Sequence, residues 1–193
     1  MAHTQQQDFC IGVRKRYPNR FKNARVLDIG SLDINGNNRF LFTNEDYTGI
    51  DLGEGPNVDI VCKGHEHCSS IPYDVTISTE CLEHDEWWKL TLANMWELTR
   101  PGGLILFTCA STNRAEHGTK RTSPANAPFV QDYYGNLTEQ DIRSVWDIEA
   151  LFDGWEFQSA RGHQDLYFYG IKKEWYTKKI QWKSPKRSSE RSR

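Results

Sequence analysis

The chain has 193 residues, 37% hydrophobic and 26% charged, which is enough apolar matter for one core and too much for wholesale disorder. No run approaches the ~18 apolar residues a membrane-spanning helix needs, and the polar start Met1-Ala2-His3-Thr4-Gln5-Gln6-Gln7 offers no apolar secretory segment. The net charge of −2 is uneven: from Lys172 onward there are nine basic and two acidic residues, and before it 15 basic and 24 acidic, so the acidic body is a poor nucleic-acid platform.

The first element spans about Gln5 to Arg16. Phe9, Val13 and Tyr17 fall four apart with Cys10 on the same face, as in a helix, while Phe9, Ile11 and Val13 alternate, as in a strand. The glutamine-rich run before Phe9 favours the helix, and Tyr17-Pro18 ends it, because the residue before proline is pushed out of the α region. Short β-branched runs then predict four strands: Arg25–Gly30, Tyr47–Leu52, Val58–Cys62 and Tyr73–Ser78. A helix over Asp85–Leu98 follows, with Trp88, Leu92, Met95 and Trp96 at intervals of three and four, and Pro101-Gly102-Gly103 stops it. Leu104–Thr108 is a fifth strand, apolar enough to be covered on both faces.

Beyond it, Thr138 with Asp141 three residues on resembles a capping box, and Ile142, Val145 and Trp146 give that helix an apolar side. Trp155–Ala160 and Leu166–Ile171, joined by a short glycine-bearing loop, predict a hairpin. The alternation of strands and helices predicts an α/β protein, a mostly parallel sheet ending in an antiparallel strand at one edge, with helices on both faces. The five scattered cysteines, Cys10, Cys62, Cys68, Cys81 and Cys109, fit free thiols of a reducing, cytoplasmic setting better than a disulfide framework.

In an open α/β sheet, ligands bind beyond the carboxyl ends of the strands. Three strand ends here carry suitable groups: Asp28-Ile29-Gly30-Ser31, then Asp51-Leu52, then Ser78-Thr79-Glu80 with Glu83 and His84 behind. An acid about 20 residues after a glycine turn suits the two hydroxyls of a ribose. The turn is not that of a dinucleotide fold, because Leu32 stands where a pyrophosphate needs glycine. Asp28, ahead of the turn, instead suits an ammonium group. A cationic amino-acid moiety fits this turn better than a diphosphate.

These residues resemble class I S-adenosylmethionine-dependent methyltransferases of the small, type 11-like group. The matching segments are Val26–Ser31, Gly49–Asp51, Asp74–Ser78 and Leu98–Leu104, in the family's order and spacing, and Ser31-Leu32-Asp33-Ile34-Asn35-Gly36 with Arg114–Thr119 is similar to one branch of it. The resemblance implies a Rossmann-like, seven-stranded sheet with one antiparallel strand near an edge. It implies one domain over residues 1–175, whose N-terminal segment 1–24, read above as helical, would pack over the cofactor side; the charge and composition of 176–193 make it a basic, disordered tail. It further implies S-adenosylmethionine as cofactor. Asp28, Gly30 and Ser31 would hold its methionine part, Asp51 and Leu52 its ribose, Lys63-Gly64-His65 would lie near adenine, and Ser78, Thr79 and Glu80 would line the methyl-transfer side. Leu32, Ile34 and Lys63 depart from the family pattern, and Lys63 can only donate to adenine.

Methyl transfer needs alignment and exclusion of water more than covalent help, because the sulfonium is already a good leaving group. An oxygen acceptor also calls for a base, for which His117 and His84 are the candidates, with Glu83 and Asp85 beside them. Tyr133, Tyr134 and Asn136 are further candidates for substrate contact. The Gly64-His65-Glu66-His67-Cys68 run has zinc-type ligands without a partner cluster, so no metal is expected from it. The expected acceptor is a small molecule or sugar-like hydroxyl or amine, with no membrane and no nucleic acid as partner. Three other readings stay open: a nicotinamide-dependent oxidoreductase, a non-catalytic binding subunit of the same fold, and a nucleic-acid methyltransferase supported by the basic tail alone.

Overall fold

A computed structural model describes residues 4–174 except 131, 161 and 163. The basic tail expected over 176–193 lies outside the described residues. The described chain builds one seven-stranded sheet. Its elements are α1 (Thr4–Arg16), β1 (Arg25–Ile29), β2 (Asp46–Asp51), β3 (Ile60–Val61), β4 (Tyr73–Thr79), α2 (Trp88–Leu98), β5 (Thr99–Ala110), α3 (Glu139–Val145), α4 (Ile148–Leu151), β6 (Phe152–Ala160) and β7 (Asp165–Lys172).

The strand order is β3-β2-β1-β4-β5-β7-β6. The chain works outward from β1 to β3, then crosses back to lay β4 on the other side of β1. All neighbours up to β5 are parallel, and β7 is antiparallel to both β5 and β6. The antiparallel strand is thus second from the edge. The expected hairpin forms, but its second strand inserts between β5 and the first, because β7 is apolar on both faces and β6 is not.

Strand alternation divides the core in two. Leu27 and Ile29 of β1, Ile105 and Phe107 of β5 and Phe168 of β7 face α2, α3 and α4, where Trp96 and Trp146 fill the layer. Val26, Leu104, Leu106, Tyr167 and Tyr169 face the other way, toward α1 and two 3₁₀ turns that bring in Phe21 and Leu41. α1 buries Gln6, Phe9, Cys10 and Val13, one helical stripe, with the Phe9 ring 5.1 Å from that of Tyr167. This seats α1 over β7, and none of its residues lines the cavity described below.

The local signals differ from the outcome in two places. α2 starts at Trp88, and Asp85 stays outside it, accepting the Trp87 amide at 2.7 Å and the Thr91 hydroxyl. β5 begins at once at Thr99, so Pro101-Gly102-Gly103 forms an irregularity inside the strand; the register jumps from Tyr73↔Thr99 to Val75↔Leu104. Between β1 and β2 the described chain has no α-helix, only a 3₁₀ turn at Arg39–Leu41.

The capping box at α3 forms as read: Thr138 Oγ1 accepts from the Asp141 amide, and the Asp141 carboxylate accepts from the Thr138 amide. Thr138→Ala is expected to lower the unfolding free energy by about 1 kcal/mol, the usual loss for such a cap, measured by urea denaturation with an unchanged m-value.

Candidate functional site

Parallel pairing of β1 with both β2 and β4 brings three strand ends together. Beyond them lies a cavity of about 420 Å³. Its floor is Asp28, which is 1% exposed. Tyr47 donates its hydroxyl to Asp28 Oδ2 at 2.5 Å, and Asn38 Nδ2 lies 3.2 and 3.3 Å from the two carboxylate oxygens. The same Asn38 amide reaches Thr79 Oγ1 at 3.0 Å, joining the ends of β1 and β4. Burial pushes the Asp28 carboxyl up to about 6, against the lowering effect of Tyr47 and Asn38. Above that pH a carboxylate is held at the floor of the cavity with few groups to neutralise it.

The glycine turn explains its own composition. Gly30 has φ +78°, and any side chain there would collide with Cys81 on the neighbouring turn. Ser31 lies behind the turn, its hydroxyl donating to the Asn57 carbonyl at 2.9 Å while Asn57 Nδ2 donates to the Ser31 carbonyl at 2.8 Å. Asp51, at the end of β2, accepts the Leu32 amide at 3.1 Å and the Leu52 amide at 2.7 Å. Burial raises its pKa and these amides lower it. Leu32 is therefore tied by its backbone to Asp51. Asp33 closes the turn by accepting the Gly36 amide at 2.7 Å.

Cys62, Lys63, Gly64 and Glu66 form one wall, and Leu52 another edge. The histidine-rich run does not converge. His67 is spent on the Tyr73 hydroxyl at 2.9 Å, Cys68 is exposed, and His65 lies outside the cavity lining, against Trp87. Of the adjacent tryptophans, Trp88 is buried and Trp87 turns into the cavity. The opposite wall is Thr79, Glu80, Cys81 and His84, roofed by Asn126–Val130 and Tyr133 of the long segment after β5, with the Phe129 ring against Gly53.

Of the residues singled out in the sequence, Asp28, Gly30, Ser31, Asp51, Leu52, Thr79, Glu80 and His84 all line this cavity. Ser78 does not. It is fully buried between strands, its hydroxyl donating to the Ile29 carbonyl at 2.9 Å, because alternation turns it away from the strand-end face. His117 lies behind His84, ring centroids 5.1 Å apart, and Tyr134 packs on both. Burial, then His117, lowers His84 to about 3, so it is neutral at pH 7. Burial likewise lowers His117. Glu83 is fully buried beside them, its pKa raised by burial and by the charge of Glu80. Asn38, Tyr47 and Phe129 carried no signal in the sequence, since each reaches the site only through the tertiary fold.

No family model matches the sequence, and no curated protein matches it. Solved structures do match. One is Burkholderia thailandensis 1,6-didemethyltoxoflavin-N1-methyltransferase with bound 1,6-didemethyltoxoflavin and S-adenosylhomocysteine: TM-score 0.58, 16% identity, over 90% of this chain and 92% of that one. The fold is that of the class I methyltransferases. A second example is the N-methyltransferase NodS from Bradyrhizobium japonicum with S-adenosylhomocysteine, at TM-score 0.59, 13% identity and 88% of both chains. A third is Haemonchus contortus phosphoethanolamine N-methyltransferase 2 with S-adenosyl-L-methionine, at TM-score 0.62 and 15% identity; this chain spans 52% of that one and aligns over 86% of itself. Within this methyltransferase fold the cavity sits at the strand-order switch, between the ends of β1 and β4.

The buried charge at Asp28 has a stability consequence. Its folded pKa of about 6 exceeds the ordinary 3.8, so its protonated form stabilises the fold below about pH 4 and this contribution is lost as pH rises through about 6. Relative to Asp28→Asn, the native chain is expected to lose about 2–3 kcal/mol between those pH values, read by denaturant titration of both proteins across the window.

Proposed function

We propose that the chain is an S-adenosylmethionine-dependent methyltransferase acting on a small-molecule or sugar-like acceptor. The observation that carries this reading is the pair of carboxylates Asp28 and Asp51, set on adjacent strand ends around one cavity. Asp28 is the counter-charge for the cofactor's ammonium group. Asp51, whose two oxygens each take one backbone amide and keep further lone pairs, accepts from the ribose hydroxyls. The wall Cys62–Gly64 flanks the adenine. The sulfonium methyl then points toward Glu80 and His84, and the acceptor enters beneath Asn126–Val130 and Tyr133. Leu32 supports this assignment over a nicotinamide dinucleotide, whose pyrophosphate needs close backbone approach where a leucine side chain stands.

Catalysis on this reading is positioning. The cavity aligns acceptor, methyl and sulfur, and the roof segment excludes water. No helix among the described residues is long and apolar enough to cross a membrane, and the five cysteines are free, which supports a small-molecule enzyme of the cytoplasm.

Titration calorimetry with S-adenosylmethionine, S-adenosylhomocysteine and NAD tests the reading. The sulfur ligands are expected to bind and NAD to give no heat; NAD binding alone would overturn it. Asp51→Ala is expected to weaken the sulfur ligands by roughly 1–3 kcal/mol, the worth of charge-assisted hydrogen bonds, and unchanged affinity would remove the ribose assignment. Because ionised Asp28 attracts the ammonium, affinity is expected to fall as pH drops below about 6, and this decline is expected to vanish in Asp28→Asn.

A further inference from the structure

We infer that Glu83, His84 and His117 form a binding site for one divalent transition-metal ion on the acceptor side of the cavity. One ligand atom from each of the three lies within 4.8 Å of the others. Ligands at about 2.0–2.2 Å from a common ion stand roughly 3–4 Å apart, so small side-chain rotations close the site. The three come from two separate segments. Glu83 and His84 sit in the 3₁₀ turn after β4, and His117 is in the long segment after β5.

Two of the ring nitrogens lack other partners. His84 Nδ1 and His117 Nε2 are buried without a hydrogen bond, and the fully buried Glu83 carboxylate has only the backbone amides of Glu83 and Ala110 beside it. His84 itself is 8% exposed. Burying two unpartnered imidazole nitrogens beside a carboxylate is costly, and a cation serves all three groups at once.

The surroundings are arranged to hold these rings. His117 Nδ1 lies 3.1 Å from the Ala115 carbonyl, which can only accept, so Nδ1 carries the proton and Nε2 presents its lone pair. This is the outer hydrogen bond that metal-bound histidines use to fix tautomer and orientation. Tyr134 donates to the same carbonyl at 3.2 Å and packs its ring on both histidines. Arg114, three residues before His117, is anchored to buried Asp165 at 2.8 Å. Gly118, at φ +65°, passes so close to His84 that a side chain there would collide with the ring. Glu80 adds negative charge beside the cluster.

Two imidazoles and one carboxylate, without thiolate, suit Mn²⁺, Fe²⁺ or Co²⁺ better than Mg²⁺ or Ca²⁺, which prefer all-oxygen sites. Three protein ligands leave coordination positions open, and one of the three, His84, also lines the cavity. On the methyltransferase reading above, this narrows the acceptor to a hydroxyl compound, best one with two neighbouring oxygens. The bound hydroxyl gives its proton to solvent. Its oxygen then forms a bond to the methyl carbon as the carbon–sulfur bond breaks, and sulfur keeps the electron pair as a neutral thioether.

Chelator-treated protein is titrated with Mn²⁺ by electron paramagnetic resonance and with Co²⁺ by visible absorption, and S-adenosylhomocysteine affinity is measured in parallel. One ion per chain is expected, with binding weakened at least about tenfold in His117→Gln and in Glu83→Gln while S-adenosylhomocysteine affinity is retained. His65→Ala is the control and is expected to bind as the native chain does. Circular dichroism checks that each variant is folded. Absence of stoichiometric binding, or equal binding by both ligand variants, overturns the site. Metal binding without S-adenosylhomocysteine binding keeps the site and sinks the methyltransferase reading; the converse result sinks the site alone.

Discussion

The arrangement of this protein depends on the close approach of two turns, Gly30 after β1 and Cys81 after β4. The β1–β4 pairing forces them together: Val26, Leu27 and Asp28 pair with Val75, Thr76 and Ile77, so both strands end at the same level. Only a residue without a side chain fits at position 30. Once the turns meet, Asp28 faces Thr79 closely enough for a single amide, that of Asn38, to bond to both. The floor of the cavity is then fixed by covalent geometry and packing instead of by mobile side chains, which is what a site that works by alignment requires.

The fold was legible where burial is two-sided. β1, β4 and the Leu104–Thr108 part of β5 are short runs rich in apolar residues, and no helix competes for them. It was less legible where the decision is tertiary. β3 retains only Ile60 and Val61 of the expected Val58–Cys62, because it is an edge strand with one partner and both residues stay exposed. The place of β7 could not be read from hairpin signals, since a hairpin specifies pairing with its own partner and says nothing of which strand meets the rest of the sheet. The chain between β1 and β2 stays out of an α-helix for a local reason: the Asp33 carboxylate holds the Gly36 amide and the Asn37 side chain, and Asn37 holds the Arg39 amide, a competing solution that helices lose to.

The site was legible to a similar degree and for a similar reason. Strand-end acids announce themselves, because Asp28 and Asp51 interrupt otherwise apolar runs. Ser78 was misleading because it adjoins the strand end, yet the two-residue period points it into the sheet, where it bonds to Ile29. His84 and His117 were visible as isolated histidines, but their contact across 33 positions was not. That contact needs the long segment after β5 to return under the β4 turn, which it does through the Gly135 amide on the Glu83 carbonyl at 2.8 Å and the Leu137 amide on the Ala110 carbonyl at 2.9 Å.

These two backbone bonds also explain how the cavity divides into unlike ends. The Asp28 end is built by strands and short turns, and its polar atoms are paired by neighbours that sit within the sheet's own reach. The His84 end is built by a segment with little regular structure, pinned at Ala110, Glu83 and Asp165 and carrying its chemistry between the pins. In such a fold the first end recognises what every member of a cofactor class shares, and the second can change its residues without disturbing the sheet. The clustered ligand atoms of Glu83, His84 and His117 all fall at the second end. What distinguishes this chain from others of its fold is therefore to be sought there, on the acceptor side, where imidazoles and a buried carboxylate converge.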